Sequence, residues 1–172
     1  MKIHILGIGG TFMAGVAIIA KQLGHTVTGS DKNLYDPMKS VLIKEGIKFT
    51  EGYNSNILKK KIDLVIVGNV MSRGTDIIEK LLEKNINFTS GPQWLHDNVL
   101  KNKNVIAVSG THGKTTTSSL LAWILKYSGF NPSYLIGGLP NNFNSPAKLT
   151  KSKYFVIEAD EYDTAFFDKR SK

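Results

Sequence analysis

The chain has 172 residues, no cysteine, an apolar fraction of 41% and a formal net charge of +8. This length admits one domain or parts of two, and the absence of cysteine excludes a disulfide framework and a thiolate zinc site. The apolar residues lie in short blocks, none close to the roughly 18 residues that span a bilayer. The first glycine, Gly7, comes too early for a secretory signal. We therefore expect a soluble, intracellular protein.

The positive charge comes almost entirely from lysine. Only two of the 22 basic residues are arginines, Arg73 and Arg170, and the lysines are scattered along the chain. Nucleic-acid sites concentrate basic residues in one patch and favour arginine. We therefore expect no nucleic-acid partner, although the excess charge can help to attract a polyanionic small molecule.

Strand-like apolar blocks alternate with helix-like stretches, which predicts an α/β fold with a parallel, Rossmann-like sheet covered by helices. The first strands are predicted over 2–6, 25–29, 47–50, 64–68 and 87–89. The helices between and after them are predicted over 12–23, 37–44, 76–83 and 92–100. Pro92 suits the first turn of the last helix and Ser90 suits its cap.

A polar stretch, residues 101–104, interrupts this alternation and places a domain boundary near residue 102. Residues 1–102 then form one domain and residues 103–172 the opening of a second. The second contains predicted strands over 105–109, 133–136 and 154–158 and a helix over 115–127. About 70 residues is short for such a domain, and the end of the chain shows no obvious closing element. We therefore interpret the chain as a truncated product.

The strongest motif is G-T-H-G-K-T at 110–115, the phosphate loop, which follows a predicted strand and opens a predicted helix. Backbone amides and the helix dipole make such a turn a site for a phosphate chain. Lys114 would contact the β- and γ-phosphates of ATP, and Thr115 would hold Mg²⁺. The general Walker pattern has another glycine where Val108 stands. The predicted nucleotide-binding residues are Gly110, Thr111, His112, Gly113, Lys114, Thr115 and Thr116.

A second glycine-rich segment, the glycine loop (residues 7–13), follows the first predicted strand. In this position a Rossmann domain binds a diphosphate, and Asp31, about twenty residues on, would meet a ribose hydroxyl. The third glycine of the dinucleotide pattern is replaced by Phe12, which weakens an NAD interpretation. The alternatives are a UDP-sugar, NAD, or a tight turn that only packs a helix.

The predicted strand over 154–158 runs into acidic residues at its carboxyl end, where open α/β sheets place their ligands. Glu158 is the first of them. Because Mg²⁺ prefers carboxylate, hydroxyl and phosphate oxygens, we predict Glu158 and Thr115 as metal ligands.

Four motifs together resemble the Mur ligase family, the UDP-N-acetylmuramate–peptide ligases. They are G-I-G-G at 7–10, G-S-D at 29–31, G-T-H-G-K-T-T at 110–116 and E-A-D-E at 158–161. Segments 9–13, 68–74, 90–97 and 158–172 resemble the branch that joins L-alanyl-γ-D-glutamyl-meso-diaminopimelate to UDP-N-acetylmuramate. The resemblance implies a cytoplasmic enzyme of peptidoglycan synthesis and recycling, and thus of cell-wall biogenesis, cell shape and cell division. It also implies a UDP-binding domain, an ATP-binding central domain and a C-terminal ligase domain, which is absent here.

The resemblance also implies roles for individual residues. His112 would face the muramyl carboxylate or the γ-phosphate, or is only tolerated in the loop. Residues 137–142 would contact the muramyl end of the substrate, or form a plain turn. Lys114, His112 and Glu158 are the predicted catalytic residues. The UDP portion would be held by Gly7, Gly9, Gly10, Thr11, Phe12, Met13, Asp31, Asn69, Met71 and Ser72.

The implied reaction forms an acyl phosphate, which the incoming amine then attacks. Because the second half of the ATP domain and the C-terminal domain are missing from these residues, we expect no ligation by them alone. Three alternatives stay open: a non-catalytic UDP-sugar and ATP binder, a fragment of the ligase that adds L-alanine alone, and an NAD-dependent oxidoreductase.

Overall fold

The computed structural model describes residues 1–59, 61–160 and 163–171. Its first sheet has five parallel strands in the order β3-β2-β1-β4-β5. The chain leaves β1 toward β2 on one side and later adds β4 on the other, so the order of the strands reverses beside β1. Open α/β sheets bind ligands at the carboxyl ends of strands beside such a reversal. The strands are β1 (Lys2–Leu6), β2 (Thr26–Asp31), β3 (Lys48–Glu51), β4 (Leu64–Val67) and β5 (Phe88–Ser90).

Helices cover both faces of this sheet. One face carries α1, α2 and α4 over a core that includes Ile3 and Ile5, and the other carries α3 over Val65 and Val67. The Ser90 hydroxyl accepts a hydrogen bond from the Gln93 amide at 3.3 Å, which confirms Ser90 as the cap of α4. The helices are α1 (Thr11–Gln22), α2 (Met38–Lys44), α3 (Asp76–Glu83) and α4 (Gly91–Asn98).

The second sheet has four strands in the order β6-β9-β7-β8, and only β8 runs antiparallel to its neighbour. A single long helix, α5 (Lys114–Tyr127), connects β6 to the rest. The strands are β6 (Asn104–Val108), β7 (Ser133–Leu135), β8 (Ala147–Lys148) and β9 (Tyr154–Glu158). Two-residue β8 was not predicted, because so short a strand leaves no periodic pattern.

Helix α1 joins the two sheets. Eight consecutive residues, 13–20, are buried, and the core around them includes Leu135, Ala147 and Phe155 of the second sheet. A Cβ atom on Gly15 would lie 2.9 Å from the Leu135 side chain and 3.3 Å from Ala147. Gly15 therefore permits a contact between helix and sheet that any larger residue would push apart.

The end of the described chain holds an element that was not predicted. The last described residues form a two-stranded antiparallel hairpin, β10 (Asp163–Ala165) and β11 (Asp168–Ser171), which packs back on the first sheet. The Ser90 hydroxyl donates to the Asp168 carboxylate at 3.0 Å, and the Phe167 ring packs edge-on against a ring of β5 at 5.0 Å. The hairpin was missed because its polar and aromatic residues are stabilised by contacts distant in sequence.

The α/β fold class is confirmed, and the predicted elements agree with the observed ones to within two residues at their ends. The proposed boundary near residue 102 stays a prediction. Across the described ranges, no helix is long and apolar enough to cross a membrane.

Candidate nucleotide-binding and metal-binding site

The phosphate loop lies between the end of β6 at Val108 and the start of α5 at Lys114. Gly113 caps the helix with φ +77°, a left-handed conformation that costs residues with a Cβ roughly 1–2 kcal/mol. The turn needs a glycine there, and the first amides of a 14-residue helix are directed into the loop.

The Lys114 ammonium is held over this loop. It donates to the Gly110 carbonyl at 2.8 Å and lies 3.3 Å from a carboxylate oxygen of Asp160. The Lys114 side chain is 15% exposed. A cation fixed in this way is preorganised to meet a phosphate chain on the loop.

Glu158 ends β9 directly beside Val108 at the end of β6, because the two strands pair in parallel with these residues in register. Its carboxylate is buried, with 8% of the residue exposed. Thr115 donates to its Oε2 at 3.3 Å, and Ser118 donates to its Oε1 at 2.9 Å. The structure therefore brings the two predicted metal ligands together at the start of α5.

This donor set fits Mg²⁺ bound with a nucleotide. Within residues 1–59, 61–160 and 163–171, no group of three or more histidine, cysteine or acidic side chains is arranged to hold a metal by itself. Mg²⁺ usually takes one or two carboxylates and completes its shell with waters and substrate phosphates. Glu158 and Thr115 would supply the carboxylate and the hydroxyl of such a site.

The remaining phosphate-loop residues face solvent. Thr111, His112 and Thr116 are all exposed, and the structure places His112 at the loop beside the helix start. A groove of about 430 Å³ separates the start of α5 from the segment over 137–142, the region predicted for the muramyl end of a substrate. Asn141 and Asn142 line the groove opposite Thr115.

The glycine loop and Asp31 form a second arrangement at the carboxyl end of the first sheet. The Gly9 amide donates to the Asp31 carboxylate at 2.8 Å, and the Gly7 amide donates to the Ser30 carbonyl at 2.9 Å. Tyr53 lies beside Asp31, and burial, followed by the negative charge of Asp31, raises the pKa of Tyr53 to about 12.

The residues predicted to hold UDP divide into two groups. Thr11 and Phe12 are half-buried, Gly10, Asn69 and Ser72 are exposed, and the Val70 side chain lies against Gly7, so the turn over 69–72 adjoins the glycine loop. The two methionines instead face the interior. Met13 is 6% exposed and packs against Gly91, and Met71 is 3% exposed.

Three residues near these sites were absent from the predicted set. Ser118 could have been found, since it follows Thr115 by three residues and lies on the same face of a helix. Asp160 lies inside the acidic motif, which continues to Glu161, outside the described residues. No signal in the sequence points to Tyr53, because its approach to Asp31 depends on how the chain folds after β3.

These features define an α/β protein with two units, each made of a strand, a glycine-containing turn and a helix. The turn of the second unit is a phosphate loop. Family models give that class a name: residues 2–103 match the Mur ligase family, catalytic domain, and residues 108–170 match the Mur ligase middle domain. The chain belongs to the Mur ligase family.

Individual relatives locate the chain within the family. It is 59% identical over 172 residues to the Escherichia coli (strain K12) UDP-N-acetylmuramate–L-alanyl-γ-D-glutamyl-meso-2,6-diaminoheptandioate ligase, covering 100% of the chain and 38% of the relative. It is 36% identical over 168 residues to the UDP-N-acetylmuramate–L-alanine ligase of Syntrophomonas wolfei, covering 98% of the chain and 36% of that relative.

A solved structure agrees with this placement. The UDP-N-acetylmuramate:L-alanyl-γ-D-glutamyl-meso-diaminopimelate ligase from Neisseria meningitides superposes with a TM-score of 0.94 at 51% identity, over 99% of this chain and 56% of that one. The chain thus spans less than two fifths of the length of the curated relatives it matches.

Proposed function

We propose that these residues bind UDP-N-acetylmuramate and ATP-Mg²⁺ for an ATP-dependent peptidoglycan-recycling ligase of the cytoplasm. The observation that carries the proposal is that Lys114 and Glu158 lie at one phosphate loop, where the neighbouring parallel strands β6 and β9 end. The glycine loop with Asp31 is the proposed site of the UDP portion.

The proposed reaction activates the muramyl carboxylate. A carboxylate oxygen attacks the γ-phosphorus of ATP, and the bond between this phosphorus and the oxygen that bridges to the β-phosphate breaks. ADP departs, and an acyl phosphate remains. The incoming amine attacks the acyl carbon, phosphate leaves with the bonding electrons, and the amine loses a proton. In such transfers positioning and charge neutralisation supply most of the catalysis. Lys114 would provide one charge, and Mg²⁺ held by Thr115 and Glu158 would neutralise phosphate oxygens.

The tripeptide is the proposed amine substrate of the complete enzyme. Identity to the tripeptide-adding relative, 59%, is well above the 36% to the L-alanine-adding one. Because these residues correspond to 38% of the tripeptide-adding relative, we assign binding to them and ligation to the longer protein.

Calorimetric titration of the 172-residue chain tests the proposal. We expect ATP-Mg²⁺ and UDP-N-acetylmuramate to bind at separate sites, each without displacing the other, and NADH not to bind. A folded chain that binds NADH but neither of the other ligands would contradict the proposal.

Incubation with UDP-N-acetylmuramate, tripeptide and ATP-Mg²⁺ should yield no ligated product, and the appearance of product would refute the assignment of binding alone.

A further inference from the structure

The Glu158 carboxylate is buried at the end of β9. Among the residues that the structure describes, its hydrogen-bond partners are two neutral hydroxyls, those of Thr115 and Ser118, and no ion pair reaches it. An ionised carboxylate out of water is costly unless it is paired or coordinates a metal. The hydroxyls orient the carboxylate but leave its charge available.

Ser118 is built to hold one oxygen of that carboxylate. It is fully buried, and its hydroxyl lies 2.9 Å from Glu158 Oε1 and 3.2 Å from the Thr115 carbonyl. A serine within a helix often bonds a carbonyl one turn back, but the hydroxyl has only one proton to donate. The charged and nearer acceptor makes the stronger bond, so the proton is directed at Glu158.

Gly137 leaves room for the other oxygen of the carboxylate. A Cβ atom at this position would lie 2.6 Å from Glu158 Oε2 and 3.3 Å from its carboxyl carbon. Alanine there would push the carboxylate out of its place, because its other oxygen is already held by Ser118. Ser118 thus holds one oxygen of the carboxylate by a hydrogen bond, and Gly137 leaves the space that the other oxygen occupies.

We propose that Ser118 and Gly137 are positioning residues that fix the Glu158 carboxylate for the divalent cation accompanying the nucleotide. The inference rests on the proposed function, in which Glu158 and Thr115 hold that cation. Neither residue needs to touch the cation or the nucleotide. Partners that orient a metal-ligating carboxylate typically change metal affinity by 10- to 100-fold when they are removed.

The test separates metal-dependent from metal-free nucleotide binding. A fluorescent ATP analogue is titrated into the 172-residue chain in EDTA and then at rising free Mg²⁺, and the Mg²⁺ concentration giving half of the affinity gain is recorded. We expect Ser118→Ala to raise that concentration roughly 10-fold while the affinity in EDTA stays unchanged, and Gly137→Ala to raise it as well. Ser118→Thr, which keeps the hydroxyl, should restore most of the wild-type response.

Ser133→Ala is the matched control, because Ser133 is equally buried but bonds Thr150 in another part of the second sheet. It should lower thermal stability without changing the Mg²⁺ response. An unchanged Mg²⁺ response in Ser118→Ala or in Gly137→Ala would overturn the inference, as would an equal loss of affinity with and without Mg²⁺. If the wild-type chain binds the analogue independently of Mg²⁺, the metal site of the proposed function is itself wrong.

Discussion

The glycine loop and the phosphate loop share one backbone arrangement, but the charged side chain bound to each loop has the opposite sign. Each leaves the carboxyl end of a parallel strand and leads into a helix. In the glycine loop a carboxylate, Asp31, accepts from the Gly9 amide, whereas in the phosphate loop an ammonium, Lys114, donates to the Gly110 carbonyl. The proposed ligand of each loop, ribose hydroxyls in one case and a triphosphate in the other, is therefore determined by the side chains around the glycine turn more than by the turn itself.

The helices that follow the two loops differ just as clearly. Helix α1 is buried along residues 13–20 between two sheets, whereas only Ser118 and Ala122 are buried in α5. Leu120 and Ile124 of α5 are at least half exposed. The first loop thus leads into a helix that is held in the core, while the second depends on local contacts, those of Lys114 with Gly110 and Asp160 and those of Glu158 with Thr115 and Ser118.

The largest expected effect concerns the support of α1. Gly15→Val places a branched side chain against Leu135, and such overpacking should lower the free energy of unfolding by about 3 kcal/mol. For a chain of this size we expect a melting temperature roughly 6–12 °C lower. Gly15→Ala should lower the free energy of unfolding much less, since the higher helix propensity of alanine contributes up to about 1 kcal/mol in the opposite direction. Thermal unfolding followed by circular dichroism measures both, and a fully stable Val variant would show that α1 does not join the sheets tightly.

A smaller effect is expected at the glycine loop. Asp31→Asn keeps the shape and can still accept from the Gly9 amide, but it removes the charge that we propose meets the ribose hydroxyls. Losing a charged acceptor should weaken UDP-N-acetylmuramate binding about 10-fold. Calorimetry with both ligands tests this, with ATP-Mg²⁺ affinity as the internal control. Equal weakening of both ligands would indicate that Asp31 supports the whole fold instead of one site.

The smallest effect concerns the hairpin, which links the end of the second unit to the first. The guanidinium of Arg170, followed by the Ser90 hydroxyl, lowers the pKa of Asp168 to about 2 against burial, which acts in the opposite direction. Because the pKa of Asp168 is lower in the folded than in the unfolded chain, its ionised carboxylate stabilises the fold at pH values above the unfolded-state pKa, which is near 4. This stabilisation is lost as the pH falls toward 2. Asp168→Asn should therefore lower the melting temperature by roughly 2–4 °C at pH 7. The difference should shrink between pH 4 and pH 2, and a constant difference would rule out the charge as its cause.

The sequence was most informative where a local pattern determines the structure. The blocks that became β1, β4 and β9, and the cap at Ser90, could be predicted because apolar periodicity and capping act over a few residues. The phosphate loop could be predicted because glycine, lysine and threonine occur at fixed spacing.

Contacts between distant residues could not be predicted in this way. Gly15 carries no mark of its contact with Leu135, and Tyr53 none of its place beside Asp31. The hairpin over 163–171 is stabilised by Ser90, more than seventy residues earlier in the chain. Met13 shows the reverse difficulty, since a residue within a binding motif turned out to face the core.

The central claim is that the Lys114 ammonium neutralises a nucleotide triphosphate at the start of α5. Lys114→Ala should weaken ATP-Mg²⁺ binding by about 100-fold in calorimetry, as expected for losing a charge with its phosphate contacts. Lys126→Ala, in the last turn of the same helix, should bind ATP-Mg²⁺ like the wild type. Wild-type ATP affinity in a folded Lys114→Ala chain would contradict the account.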